Sequence, residues 1–192
     1  MYLFIDPVGP NITLIWLEWG KLIFSKEISQ WKDFDTFPDE LVEVVDLYNI
    51  EEIWCICGPA AFTRIRIVTL AINTLHIVRH IPIKWCHFFD IIDSKNPILK
   101  ANTTEYIIDA WHGETKIVEV GDLPNGTYRG YGDKNDFTGG KVFVEYTRDL
   151  SHIARIFAET DSLSLLSPIY LKAPHITWSK KSTSHFWEKM KK

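Results

Sequence analysis

The sequence predicts a mixed α/β protein, and three observations lead there. Ile53 to Cys57 is a short apolar run rich in β-formers; it meets the breaker Gly58-Pro59 and then a long helical pattern from Phe62 to Val78. Pro82 excludes a continuing helix, and Ile83-Lys84-Trp85-Cys86 reads as a second strand, so the stretch is one strand–helix–strand unit. Ahead of it, residues 1–28 read as three short strands joined by tight turns, an antiparallel meander. A helix starting beside a strand's carboxyl end presents free N–H groups, a usual place for an anion or phosphate.

In chain order, Met1 to Asp6 is a strand ending in a carboxylate, Asn11 to Trp19 a second, and Leu22 to Ile28 a third after a Gly20-Lys21 turn. Asp33 to Glu52 holds eight acids and no Lys or Arg. Within it Pro38 begins a helix, with Asp39 and Glu40 in the first turn where the macrodipole favours them. Leu41, Val44, Val45 and Tyr48 then share one face. After the strand–helix–strand unit, Asp93 to Asn102 reads as a polar connection between two lobes, 1–95 and 103–192. Glu105 to Asp109, Lys116 to Val120 and Lys141 to Tyr146 are strands of the second lobe, and Leu150 to Ala158 is a short helix with His152 and Arg155 on its polar side. Gly121 to Gly140 carries six of the ten glycines and reads as loop or irregular hairpin.

Composition bounds the function. At 192 residues the chain can bury a sizeable core, and its 46% hydrophobic and 24% charged content is that of an ordinary globular protein. Eight Trp and eleven Phe must go into cores or an interface. A net charge of −4 gives no general attraction to nucleic acid. Neither a membrane span nor a signal peptide is expected, and an odd count of three cysteines argues for a reducing compartment, hence a cytoplasmic location.

Three separated segments carry a resemblance. Gly58-Pro59-Ala60-Ala61-Phe62-Thr63-Arg64-Ile65-Arg66 resembles the GPGSFTGLRIG signature of the TsaB (YeaZ) family, with Ala60 and Arg64 in place of two glycines. Asp109-Ala110-Trp111-His112-Gly113-Glu114 resembles its DARRGE turn, and Ser167-Pro168-Ile169-Tyr170-Leu171-Lys172 its PVYLR segment. The resemblance implies a two-lobed fold of the actin, sugar kinase and Hsp70 (ASKHA) group, with a ribonuclease-H-like βββαβαβ first lobe. It implies a non-catalytic subunit needing no cofactor. This subunit would pair with a TsaD-type enzyme that transfers threonylcarbamoyl to tRNA adenosine, touch tRNA only indirectly, form a homodimer when alone, and have a TsaE-type ATPase as a further partner. The family pairs through its two first-lobe helices, here Pro38 to Tyr48 and Phe62 to Val78.

An apolar face as wide as that of the second helix must be covered, either by the second lobe or by another protein, and it is the resemblance that favours a partner. Ile67, Val78, Ala71, Leu75, Val68, Ile72 and Ile65 span roughly 160° of its wheel, against the roughly 100° a surface helix needs, and Leu70 and Ile77 form a second apolar spot. The expected interface is Leu41, Val44, Val45, Tyr48, Ile65, Val68, Ile72 and Leu75, so Ile72→Glu should separate the partners and leave a folded monomer. For nucleotide, the group's acidic residue and phosphate loop would fall on Asp6, Gly58, Thr63 and Arg66. Yet Pro7 has no N–H to offer and two loop glycines are replaced, so a structural role is expected for Asp6. The rival reading is a small ATP-binding kinase or ATPase of the same group.

Other chemistry is weaker. His76 and His80 lie at i, i+4, but no third ligand is identifiable, and no metal site is expected. Cys55, Cys57 and Cys86 read as small buried apolar side chains. No GxSxG or HExxH motif supports a hydrolase. Lys172 to Lys192 has six lysines against Glu188, with Trp178, Phe186 and Trp187 interleaved. That tail could contact phosphates, pack its aromatics back on the body, or dock on an acidic surface, including the chain's own segment 33–52.

Overall fold

A computed structural model of the chain describes residues 1–18, 21–28, 36–110 and 114–170. The first half forms β1 (Tyr2–Asp6), β2 (Ile12–Glu18), β3 (Lys21–Ile28), α1 (Phe37–Tyr48), β4 (Glu52–Ile56), α2 (Phe62–Arg79) and β5 (Ile83–Cys86), the order βββαβαβ. These strands make one five-stranded sheet, β3-β2-β1-β4-β5. β1/β2 and β2/β3 run antiparallel, whereas β1/β4 and β4/β5 run parallel.

The central strands are near-continuous apolar runs because both faces of the sheet are covered. Successive side chains point to opposite faces. Leu3, Ile5, Ile12, Leu14, Ile53 and Cys55 therefore face a core shared with α1 and α2. Their neighbours Phe4, Ile15, Leu17, Trp54 and Ile56 face a second core on the other side.

α1 starts with proline in its first turn, beside Asp39 and Glu40, and ends on Asn49 in the left-handed conformation. α2 likewise ends on a left-handed residue, His80 at φ 56°, whose N–H donates to the His76 carbonyl. The helix thus stops at Arg79, and His80 leaves the helical path. Its expected i, i+4 partner His76 turns Nδ1–H toward the Ile81 carbonyl, 2.8 Å away.

The second half forms β6 (Pro97–Lys100), β7 (Glu105–Ala110), β8 (Glu114–Glu119), β9 (Gly126–Tyr131), β10 (Lys141–Glu145) and α3 (Leu150–Glu159). Its sheet has the order β10-β9-β6-β7-β8. Two of these strands depart from the sequence expectation. β6 lies inside the stretch read as a polar connection, and β9 lies inside the glycine-rich stretch read as loop. β9 is an interior strand, parallel to both neighbours. Any side chain at Gly130 would collide with the Ile98 carbonyl, so this glycine serves close strand approach and not a turn.

The two sheets meet through the second core. Phe4 and Trp54 from the first sheet, Leu99, Ile107 and Tyr131 from the second, and Ile153 and Phe157 from α3 pack together. Trp54 lies between Tyr2 at 4.8 Å and Phe157 at 5.1 Å, stacked on both. Three-ring stacking of this kind fixes α3 on the sheet by burying large apolar area. The Trp111-His112-Gly113 part of the expected turn and the tail 171–192 lie outside the described residues.

Candidate functional site

Two places were expected to carry function: the cleft beside Asp6 and the outer face of the first-half helices. Asp6 closes β1 and is completely buried. Its Oδ1 accepts the Val8 N–H at 2.9 Å. Its Oδ2 accepts the Tyr131 hydroxyl at 2.9 Å and Arg148 Nε–H at 2.9 Å, and the Arg148 Nη2 group, ion-paired with it at 2.9 Å, donates to Thr13 Oγ1 at 2.8 Å. Both carboxylate oxygens are thus engaged inside the chain, Oδ1 by the neighbouring turn and Oδ2 by groups of the second half. A buried carboxylate is tolerable only when paired and hydrogen-bonded in this way. Burial opposes the Arg148 charge, but the Asp6 carboxylate beside it prevails and holds the guanidinium above its ordinary pKa. Burial first, then the Asp6 charge, pushes the Tyr131 hydroxyl far up, so it stays a neutral donor.

The loop after β4 is similarly committed. Gly58 has φ 117°, a conformation that favours glycine, and an added side chain would strike the Ile169 carbonyl. Ile169 N–H donates to Cys57 O at 2.7 Å, and Ala60 N–H to Ile169 O at 3.3 Å, so the C-terminal described segment lies along this loop. Arg64 stands where the TsaB signature has glycine. Its guanidinium donates to three carbonyls of the turn after β1: Pro7 at 3.3 Å, Gly9, and Pro10 at 3.1 Å. Burial, partly offset by Asp6, lowers the Arg64 pKa. Thr63 and Arg66 point to solvent; Arg66 lies 5.9 Å over the Phe62 ring.

A cavity of about 300 Å³ remains between the halves, lined by Gly9, Ala61, Arg64, Lys100, Tyr131 and Glu145 among others. Lys100 is drawn away to Asp136 at 2.7 Å. None of Asp6, Gly58, Thr63 and Arg66 lines this cavity. Sequence reasoning missed Tyr131 and Arg148, which engage Asp6 from 125 and 142 residues away. No local pattern could have signalled such a pairing.

The helical face needs a correction. Leu41, Ile65, Val68 and Ile72 are fully buried, Val44, Val45 and Leu75 nearly so, and Tyr48 is half-buried against Trp16 at 5.5 Å. Seven of them pack in the core between the helices and the first sheet, and Ile65 joins the second core, so they are core and not a free surface. Val78, placed on the apolar arc, is instead exposed. What α1 and α2 present outward is Val42, Leu47, Leu70, Ile77 and Val78, of which Leu47 and Leu70 are each 66% exposed. Between the helices lies an apolar groove of about 340 Å³, with Val42, Leu70 and Thr74 along its edges and Ile67, Ala71 and Leu75 beneath. Exposed apolar side chains beside such a groove are of the kind found at contact surfaces.

The three cysteines are free and buried, Cys55 and Cys57 in the first core and Cys86 in the second. Burial raises the Cys55 and Cys86 thiols well above their ordinary pKa, which keeps them un-ionised and unreactive. Among the described residues, no helix is long and apolar enough to cross a membrane.

With this geometry in hand, comparison with known proteins identifies the fold. No protein-family model and no curated protein sequence matches the chain. Among solved structures it is similar to an uncharacterized Pseudomonas aeruginosa protein with similarity to peptidase YeaZ, at 13% identity and a TM-score of 0.61, over 89% of this chain and 99% of that one. It is similar also to YeaZ from Pseudomonas aeruginosa, at 12% identity and a TM-score of 0.59, over 88% and 98%. The chain thus has a YeaZ (TsaB)-like fold over nearly its whole described length.

Proposed function

We propose that this chain is a non-catalytic subunit of TsaB type that pairs with a TsaD-type threonylcarbamoyltransferase and supports modification of tRNA adenosine. It supplies surface and no chemistry, and meets tRNA only through its partner. The observation that carries this reading is the exposed apolar side chains of the two helices, Val42 and Leu70 at the groove and Leu47, Ile77 and Val78 elsewhere on them. The YeaZ-like fold supports it, and so does the internal engagement of Asp6, which leaves that carboxylate no vacancy for a metal–phosphate group.

One observation favours a second reading, a small ATP-binding kinase or ATPase: the cavity of about 300 Å³ between the halves, with Lys100 on its wall. Calorimetry with ATP and magnesium separates the two. The subunit reading expects no saturable heat. The enzyme reading expects binding that Asp6→Ala abolishes. The subunit reading is tested directly by capturing the tagged chain from its own cells, with Leu70→Asp and Ile77→Asp as surface variants.

A further inference from the structure

The polar row that holds Asp6 continues outward into a second, smaller cavity. Asp6 of β1 stands opposite Thr13 of β2, and Thr13 opposite Glu27 of β3, so the three side chains share one face of the first sheet. Arg148 lies across this row, donating to Asp6 and to Thr13 Oγ1. Beside it is a cavity of about 240 Å³, lined by Asn11, Thr13, Glu27, Glu145, Tyr146 and Arg148 among others. We propose that this cavity binds a small molecule carrying a primary ammonium group next to an oxygen acceptor. The ammonium lies on Glu145 and Glu27, and the acceptor faces Tyr146 and Arg148.

Unmade hydrogen bonds point to the acceptor. Tyr146 is 8% exposed, and its buried hydroxyl has no hydrogen-bond partner among the described residues. Burial first, then the Asp6 charge, pushes its pKa up against the opposing pull of Arg148. The hydroxyl therefore lies near those two charges and stays a neutral donor. A phenylalanine would fill the same space without stranding a donor, so the hydroxyl is a cost to the free fold. Arg148 commits Nε and Nη2 to Asp6 and Thr13, whereas its Nη1 has no hydrogen-bond partner among the described residues. Two donors on one cavity thus lack an acceptor.

Charge points to the ammonium. Asp6 and Arg148 offset each other, which leaves Glu27 and Glu145 as the uncompensated charges of the cavity. Both are exposed; Glu27 accepts the Asn11 side-chain N–H at 2.8 Å, and Glu145 has no ion-pair partner among the described residues. A net negative cavity favours a cation and disfavours a ligand that brings a carboxylate of its own. Among the described residues no three His, Cys, Asp or Glu side chains are grouped to hold a metal ion, so an organic ammonium suits the pair. At the roughly 30 Å³ that one water occupies, the volume suits about six to eight non-hydrogen atoms.

The test is an amide NMR titration of the full, isotope-labelled chain, purified alone. Alaninamide is the probe; propionamide lacks its ammonium, and alanine carries a carboxylate in place of the amide. Alaninamide is expected to saturate with a Kd of about 1 mM, shifting the amides of Asn11, Thr13 and residues 145–148. Propionamide and alanine should each bind about tenfold more weakly or worse. Glu145→Gln and Tyr146→Phe should each weaken alaninamide about fivefold. Tyr146→Phe should also leave thermal stability unchanged or raise it, which a hydroxyl serving only the fold would not do. Absence of saturation up to about 20 mM, shifts confined to other regions, or equal binding of alaninamide and propionamide overturns the proposal. So does undiminished binding by Tyr146→Phe, which would assign the hydroxyl to a water. The assay contains neither nucleotide nor a TsaD-type protein, so failure here is separable from failure of the subunit reading.

Discussion

At the scale of single residues the decisive group is Asp6. Its carboxylate accepts hydrogen bonds from Val8, Tyr131 and Arg148 and has no solvent contact. Removing the cation should strand a buried charge: Arg148→Met is expected to destabilise the fold by about 3–5 kcal/mol in urea denaturation. Asp6→Asn combined with Arg148→Met should recover part of that loss, because the stranded charge is gone. Equal destabilisation in the single and double variants would show that the pair is not coupled. A second residue supplies a pH dependence. Burial holds the His87 pKa below its ordinary 6.5, against the opposing pull of Asp90 and Asp109, and its Nδ1 accepts the Phe89 N–H. The folded state thus prefers the neutral ring. The unfolded chain binds the proton first, so this contribution is complete above about pH 6.5 and declines as pH falls through the lowered folded value. Stability should be lower at about pH 5.5 than at pH 7.5, and His87→Gln should flatten the curve across that window.

At the scale of elements, the sequence read helices and edges well and two strands badly. α1 and α2 were legible because apolar spacing, a first-turn proline and a strand-breaking Gly58-Pro59 all point the same way. β6 was hidden by its polar flanks and its length of four residues. β9 was hidden by glycine, which reads as turn wherever its neighbour is unknown; here the neighbour is the Ile98 carbonyl. The apolar arc of α2 is indeed wide, but the part of it expected to meet a partner is buried in the core, and Leu70, Ile77 and Val78 are the apolar side chains left outside. A helix wheel gives the width of an apolar arc, not which part of it meets the sheet. Ile72 is on the sheet side and Leu70 is on the solvent side. Ile72→Glu would therefore unfold the chain and cannot serve as an interface probe. Ile72→Ala should cost about 2–5 kcal/mol, whereas Leu70→Ala should change stability by less than about 0.5 kcal/mol. Thermal or urea denaturation of the two variants checks the assignment, and similar losses would contradict it.

At the scale of the whole molecule, two five-stranded sheets share a core in which Trp54, Phe157, Phe4 and Tyr131 meet. The Asp6–Arg148 pair and the Asp6–Tyr131 hydrogen bond span the same seam. A molecule fastened across its central cleft by a buried charge network is poorly suited to opening and closing around a nucleotide. Its α1–α2 surface, by contrast, is apolar and outward. The cleft was partly legible in the sequence, through Pro7 and the lost glycines at 60 and 64; its fastening by distant residues was not. The central claim is that the exposed apolar side chains of α1 and α2 bind a TsaD-type subunit. The most direct measurement is quantitative co-purification with the tagged chain from its own cells, comparing the unchanged protein with Leu70→Asp and Ile77→Asp variants whose folding is verified by circular dichroism. The account predicts a TsaD-type protein at near-stoichiometric yield with the unchanged chain and a loss of tenfold or more, equivalent to about 1.4 kcal/mol, with either variant. Undiminished capture by both folded variants, or no TsaD-type protein with the unchanged chain, would contradict it.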